Sequence, residues 1–417
     1  MLRVVNRLMS PLVLESPYSA VPADSARRSL HVLHFIEALG PGGAERLLYT
    51  NLKHFDASRV RSSVFTVYPR ATHWLEPIRE LEVPVYSLNC DGMRDIPVAI
   101  RQLVKWLRAN RPDVIHSHLW TANVIARVAG RVTGIPVVSS VHNPEYEKAA
   151  RADGGNIRLT TRMFVKAMDR WTARFGASRL IAVSDYVRQS TRRHLKFSFD
   201  HIDLLYNPID TDSFIGHSQK TRAEVLSECH LPPDSIMLLN VARLSPQKGL
   251  IHALRALPRI LEKYPNVHLV SVGATTDPRW AGQLAAEATL AGVAEHFHVM
   301  GARRDVPDFL RACDLFVFPS LYEGLGIALI EAMAAGCSCV ATAAGPIPEF
   351  VQHNQNGFLV PPADPIALAD GICELLADPA RRNVLSVNAK DATLERFQPK
   401  EGAERLMKIY EKVARRN

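Results

Sequence analysis

No stretch of this chain holds the ~18–20 consecutive apolar residues that a transmembrane helix needs, so the sequence marks no membrane span. Cysteine is scarce, and the six cysteines (90, 229, 313, 337, 339 and 373) show no metal-ligand spacing. Cys313, Cys337 and Cys339 lie in or beside apolar runs, where a buried thiol is expected, and this points to a reducing, cytosolic compartment. A Gly-x-Gly-x-x-Gly turn with a following ribose-binding acid is missing, which argues against a dehydrogenase and a dinucleotide cofactor. Nucleic-acid motifs are missing too, and the basic residues are dispersed. Residues 1–29 lack a convincing secretory h-region and cleavage site, and read as a dispensable arm.

What is present fits an ordinary globular protein, with 47% hydrophobic and 22% charged residues. A length of 417 residues predicts two to three domains, each able to bury a core. The net charge of +8 is unevenly placed. Residues 1–205 carry 29 Lys and Arg against 18 Asp and Glu, whereas residues 206–417 carry 21 against 24. The basic half suits an anionic partner, and an anionic membrane face or a phosphorylated lipid fits better than nucleic acid. Arg158, Arg162, Lys166, Arg170 and Arg174 recur at helical spacing, which predicts one basic stripe on a helix.

Strand and helix patterns alternate along the chain, as in a parallel α/β sheet. His31–Ile36 is the first strand, and Gly40-Pro-Gly-Gly-Ala-Glu-Arg46 turns into an amphipathic helix. Asp113–His118 runs into a loop with His116 and His118 on one side, too few for a metal without a third ligand. Ile135–Val141 is followed by His142 and Asn143. A histidine at the carboxyl end of a strand faces the ligand crevice of such sheets. Asp185 is placed to cap the next helix. Leu204–Asp210, with Asn207-Pro208, reads as a domain boundary.

Two features carry the chemistry. Arg243-Leu-Ser-Pro-Gln-Lys248-Gly249 sits between the strand 235–242 and a helix, so two cations meet a helix N-terminus, an anion site suited to a diphosphate. Leu315–Phe318 is an apolar strand, Glu323-Gly324-Leu325-Gly326 a tight loop, and Ile327–Ala335 a helix carrying Glu331. Glycines let a ligand approach the backbone, and a carboxylate accepts from sugar hydroxyls.

Glu323-Gly-Leu-Gly with Glu331-Ala-Met-Ala-Ala-Gly resembles the Glu-x7-Glu signature of retaining GT-B glycosyltransferases, family 4, and the resemblance runs over roughly residues 31–400. It implies an α/β GT-B architecture of two facing Rossmann-like domains. The expected division is an arm (1–29), an acceptor domain (30–206), a nucleotide-sugar donor domain (207–390) and a C-terminal helix crossing back (391–417). The implied reaction moves a sugar, with retention, from a nucleotide diphosphate sugar to a hydroxyl acceptor. His142, Glu323, Arg243 and Lys248 are the implied catalytic residues. Gly324, Leu325, Gly326, Glu331, Met300, Gly301 and Arg303 would bind the donor, and Gly42, Gly43, His118 and Asn143 would lie on the acceptor side. Cations would replace a divalent metal, with no Asp-x-Asp ligand pair and no cofactor beyond the co-substrate. A uridine donor, a lipid-linked glycan acceptor and a cytoplasmic enzyme at the inner membrane face complete the expectation. Gly345-Pro346 departs from the family's Gly-Gly turn before Glu349, and leaves a role there open. A glycoside hydrolase using the carboxylate pair, a nucleotide-sugar epimerase and a non-catalytic binder are the alternatives.

Overall fold

The computed structural model describes residues 29–69, 72–148, 150, 159–210, 219–275 and 277–415, so nearly all of the expected N-terminal arm lies outside the described residues. Two all-parallel sheets form. The first holds β1 (Leu30–Ile36), β2 (Val60–Thr66), β3 (Val85–Ser87), β4 (Val114–His118), β5 (Val137–Val141), β6 (Arg179–Ala182) and β7 (Ile202–Leu204), in the order β3-β2-β1-β4-β5-β6-β7. The second holds β8 (Ile236–Val241), β9 (Val267–Val272), β10 (Phe297–Gly301), β11 (Leu315–Phe318), β12 (Cys339–Thr342) and β13 (Phe358–Val360), in the order β10-β9-β8-β11-β12-β13. Helices cover both faces, and β11 reads as an unbroken apolar run with every residue buried.

The strand order reverses between β1 and β4 in one sheet and between β8 and β11 in the other. Ligands of such sheets bind outside the carboxyl ends of the strands at these switch points. The loops there carry Gly42 after β1, Lys248 after β8 and Glu323 after β11, and His142 follows the neighbouring β5. Seven helices bear on the site: α1 (Gly43–His54), α2 (Trp120–Thr133), α3 (Leu159–Gly176), α4 (Asp185–Leu195), α5 (Leu250–Leu261), α6 (Ile327–Ala334) and α7 (Pro399–Ala414). Helix α7 lies on the first sheet, where Leu406, Met407, Tyr410 and Val413 pack with Val32, Val60, Val114 and Val138. Arg59 pins it through Glu411 (2.7 Å) and Glu404 (2.5 Å). At the linker, the Ile209 N–H donates to the Phe397 carbonyl (3.1 Å), and Pro208 packs against Gly402.

Two sequence expectations change here. The cap of α4 is Ser184, whose hydroxyl accepts the Val187 N–H (3.2 Å), because the Asp185 and Tyr186 N–H groups donate to Glu349 of the second sheet's loops instead. The outward face of α3 is largely apolar; Arg174 is the exposed member of the expected basic stripe among the described residues, and Arg158 lies outside them. Met163, Phe164, Trp171 and Phe175 point outward, while Lys166 turns to His194 Nδ1 (3.0 Å).

Candidate active site

The cation loop and the glutamate loop are built as one surface. Gly249 sits at φ +63°, and a Cβ there would lie 1.9 Å from the Pro319 carbonyl oxygen, so only glycine lets the two loops touch. The Leu321 N–H then donates to the Gln247 carbonyl (2.8 Å), and Gln247 Nε2 to the Tyr322 carbonyl (3.0 Å). On that frame Lys248 Nζ lies 2.7 Å from Glu323 Oε1, and Ser320 Oγ donates to the same oxygen (2.8 Å). Glu323 is buried, and Arg243, at the start of the loop, is exposed.

The second half of the glutamate loop meets the first domain. A Cβ on Gly324 would lie 1.7 Å from the His142 carbonyl oxygen, and Ser184 Oγ donates to the Gly324 carbonyl (2.6 Å). Asn143 borders the same glycine. Leu325 is buried in the core, and Gly326, at φ +92°, caps α6. From α6, buried Glu331 forms an ion pair with Arg46 of α1. Burial raises the Glu331 pKa, and Arg46 opposes the rise. Gly43 faces Ile327 of α6, and Gly42 precedes α1. Thus Gly42, Gly43, His142, Asn143, Lys248, Glu323, Gly324, Gly326 and Glu331 converge on one crevice.

The other expected donor-binding residues, Met300, Gly301 and Arg303, are placed differently. Met300 packs partly buried against the core. Gly301, at φ +70°, accepts the Gly273 N–H (2.8 Å). The Arg303 guanidinium is committed to Glu228 (2.5 Å) and Asp305 (2.7 Å), so its side chain is engaged within the second domain.

Histidines line the first domain beneath the crevice. His118 Nδ1 lies 3.2 Å from His142 Nε2, and His116 contacts Tyr410 Oη (2.6 Å) and Ser140 Oγ (2.8 Å). Burial holds His142 down to about 4 and His34 to about 3, and pushes His116 and His118 well below the usual range. All four are therefore neutral at physiological pH. His118 is buried and meets His142 rather than the open crevice.

The third ligand that β4 alone does not supply comes from β1. Ring nitrogens of His34, His116 and His118 lie within 4.8 Å of one another, the only such group of metal-ligand type among the described residues. Both His116 nitrogens already have partners, so the trio serves here to seat Tyr410 and α7 on the sheet. An Asp-x-Asp tripeptide does occur, contrary to expectation: Asp210-Thr-Asp212. Asp210 is paired with Lys53 (3.0 Å) at the linker, and Asp212 lies outside the described residues.

Sequence reasoning missed three residues. Arg46 and Glu45 stood in the glycine turn, but nothing in their spacing showed what they face across the crevice. Burial pushes Glu45 up to about 7, with Arg243 opposing. Glu349 was left without a role. It accepts from Asp185 N (3.0 Å), Tyr186 N (2.7 Å) and Tyr206 Oη (2.8 Å), and so ties the second domain to the N-terminus of α4.

Residues 224–392 match the family Glycosyl transferases group 1, and residues 41–213 match Glycosyltransferase Family 4. The alpha-maltose-1-phosphate synthase of Mycobacterium tuberculosis (strain ATCC 25618 / H37Rv) is 30% identical over 322 residues, which cover 73% of this chain and 80% of that protein. This chain is a family 4 glycosyltransferase of the GT-B fold. The D-inositol 3-phosphate glycosyltransferase of Xylanimonas cellulosilytica is 28% identical over 416 residues, covering 94% of this glycosyltransferase and 93% of that one. An Escherichia coli UDP-Gal:alpha-D-GlcNAc-diphosphoundecaprenol alpha-1,3-galactosyltransferase is 25% identical, covering 80% of this chain and 84% of its own length. Among solved structures, Anabaena Alr3699/HepE in complex with UDP-glucose superposes with a TM-score of 0.79 at 21% identity, covering 92% of this glycosyltransferase and all of that chain.

Proposed function

We propose that this glycosyltransferase moves a hexosyl group from a uridine diphosphate sugar to a hydroxyl of a lipid-linked glycan, with retention and without a metal. One observation carries the reading. Lys248 and buried Glu323 meet at 2.7 Å on a loop pair that faces His142 across the crevice. A diphosphate entering there competes with Glu323 for Lys248 and meets exposed Arg243 at the mouth. Released from Lys248, Glu323 can accept from the hydroxyls of the donor sugar. Glu331, held by Arg46, is the acceptor for ribose hydroxyls. A relative named for a UDP-Gal donor and a diphosphoundecaprenol-linked acceptor supports the substrate classes, as does a structural neighbour solved with UDP-glucose.

In the proposed step the bond from the anomeric carbon to the β-phosphate oxygen breaks, and the acceptor oxygen bonds the same face of that carbon. The acceptor proton passes to the departing phosphate. Lys248 and Arg243 stabilise the charge that develops on it. His142, neutral, can take or give a hydrogen bond to a donor-sugar hydroxyl.

The test incubates the protein with a panel of UDP- and GDP-hexoses, with and without polyprenyl-diphosphate glycans, and resolves the products. A lipid carrying one more hexose supports the proposal. Isomerised donor would indicate an epimerase, and binding without turnover a non-catalytic protein; either outcome overturns it.

A further inference from the structure

Helix α3 exposes more large apolar surface than any other labelled element. Leu159, Met163, Phe164, Trp171 and Phe175 are each 55–73% exposed. Phe164, Trp171 and Phe175 recur at spacings of seven and four, so they share one face, and the Trp171 and Phe175 rings lie 5.5 Å apart. Singly exposed apolar residues are ordinary, but a contiguous stripe rimmed by charge marks an interaction site. The rim is basic. Arg174, exposed, and Arg170, half-buried, lie on α3 beside the stripe.

The opposite face of α3 reaches the active site. Asp169 is buried and holds the Arg127 guanidinium (2.6 Å) and Tyr146 Oη (2.7 Å), in a pocket also lined by Trp120, His142 and Asn143. The outward stripe is therefore about one helix diameter, roughly 10–12 Å, from the crevice wall.

We infer that α3 is an interfacial helix that seats the protein on an anionic lipid surface, with Phe164, Trp171 and Phe175 among the acyl chains and the basic rim at the headgroups. An apolar stripe with flanking Lys and Arg is the pattern of helices that lie in the plane of the interface. Basic residues alone would make binding purely salt-sensitive, whereas a buried apolar stripe leaves a salt-resistant part. This inference does not rest on the proposed reaction, because lipid binding is read without substrate.

The test is co-sedimentation with vesicles of phosphatidylcholine alone and of phosphatidylcholine with phosphatidylglycerol, at low and high salt. Wild type should prefer the anionic vesicles, and should keep part of its binding at high salt. The Phe164→Ser/Trp171→Ser/Phe175→Ser variant should lose about tenfold or more in partitioning, and Arg170→Glu/Arg174→Glu should lose the anionic preference. Both variants should keep the wild-type mass in light scattering. Wild type that ignores anionic vesicles, or a triple variant that binds like wild type, overturns the inference. So does a triple variant whose only change is conversion of a dimer to monomers, since the stripe then covers a second copy. If the triple variant does not fold, quenching by brominated lipid, taken as wild type minus Trp171→Phe, decides. A quenched Trp171 supports lipid insertion, and an unquenched one overturns it.

Discussion

At the scale of single residues, the Lys248–Glu323 pair makes the sharpest forecast. Lys248→Ala removes a charge-assisted contact to the diphosphate and also strands buried Glu323 beside the incoming phosphate. UDP affinity measured by calorimetry should fall by about 1.5–3 kcal/mol or more. Adding Glu323→Gln should restore part of that loss, because the stranded charge is gone. A double variant no better than the single one would mean that the pair is not coupled through the ligand. Glu323→Ala alone should spare UDP binding and depress turnover, whereas Glu331→Ala should weaken UDP itself. If both variants bind and turn over normally, neither carboxylate serves the donor. These residues could be singled out as candidates from residue type and motif spacing, but the partner each side chain holds in the free protein could not. Arg46 meets Glu331, and Glu349 meets α4, across more than 160 residues of sequence separation in each case, and no local pattern encodes such meetings.

At the scale of elements, strands buried on both faces announce themselves as apolar runs, which is why β11 and α6 were legible nearly to the residue. The character of α3 was not. Its arginines recur at helical spacing, yet so do its aromatics, and only the packing of Asp169 against Arg127 decides which face turns outward. Close backbone contacts between elements give a second forecast. Gly324→Ala would drive a methyl into the His142 carbonyl, so the crevice must open there. Turnover should fall steeply while the melting temperature moves little. An unchanged turnover would show that the two domains do not close at this contact. Likewise Tyr410→Phe removes the partner of His116 Nδ1 beneath α7. Leaving that buried nitrogen unpaired should cost about 1–3 kcal/mol in denaturant unfolding. A loss near zero would mean that α7 is held by its apolar face and the Arg59 ion pairs alone.

At the scale of the whole molecule, the buried histidines tie stability to pH. His34, His116 and His118 stay neutral in the fold but take up protons near 6.5 once unfolded. The unfolded state then binds more protons, so stability falls as pH drops from about 6.5 towards the lowered folded values. Each imidazole contributes up to about 1.36 kcal/mol per pH unit in that window. Glu45, raised to about 7, acts in the opposite sense and becomes a stability loss as pH rises. His34→Leu should therefore flatten the acid limb of a stability profile by about one proton's slope; an unchanged limb would mean His34 is not held neutral. The two-sheet architecture was legible because strand and helix alternate twice around a Pro-marked linker. How the two halves touch was not, since it is set by Gly324, Arg46 and Glu349 together. The account as a whole rests on a sugar leaving a uridine diphosphate and joining its acceptor from the same face. The most direct test is the anomeric configuration of the product formed from an α-linked UDP-hexose, read from its anomeric proton coupling by NMR. An α-linked product is the outcome the account predicts, and a β-linked product would contradict it.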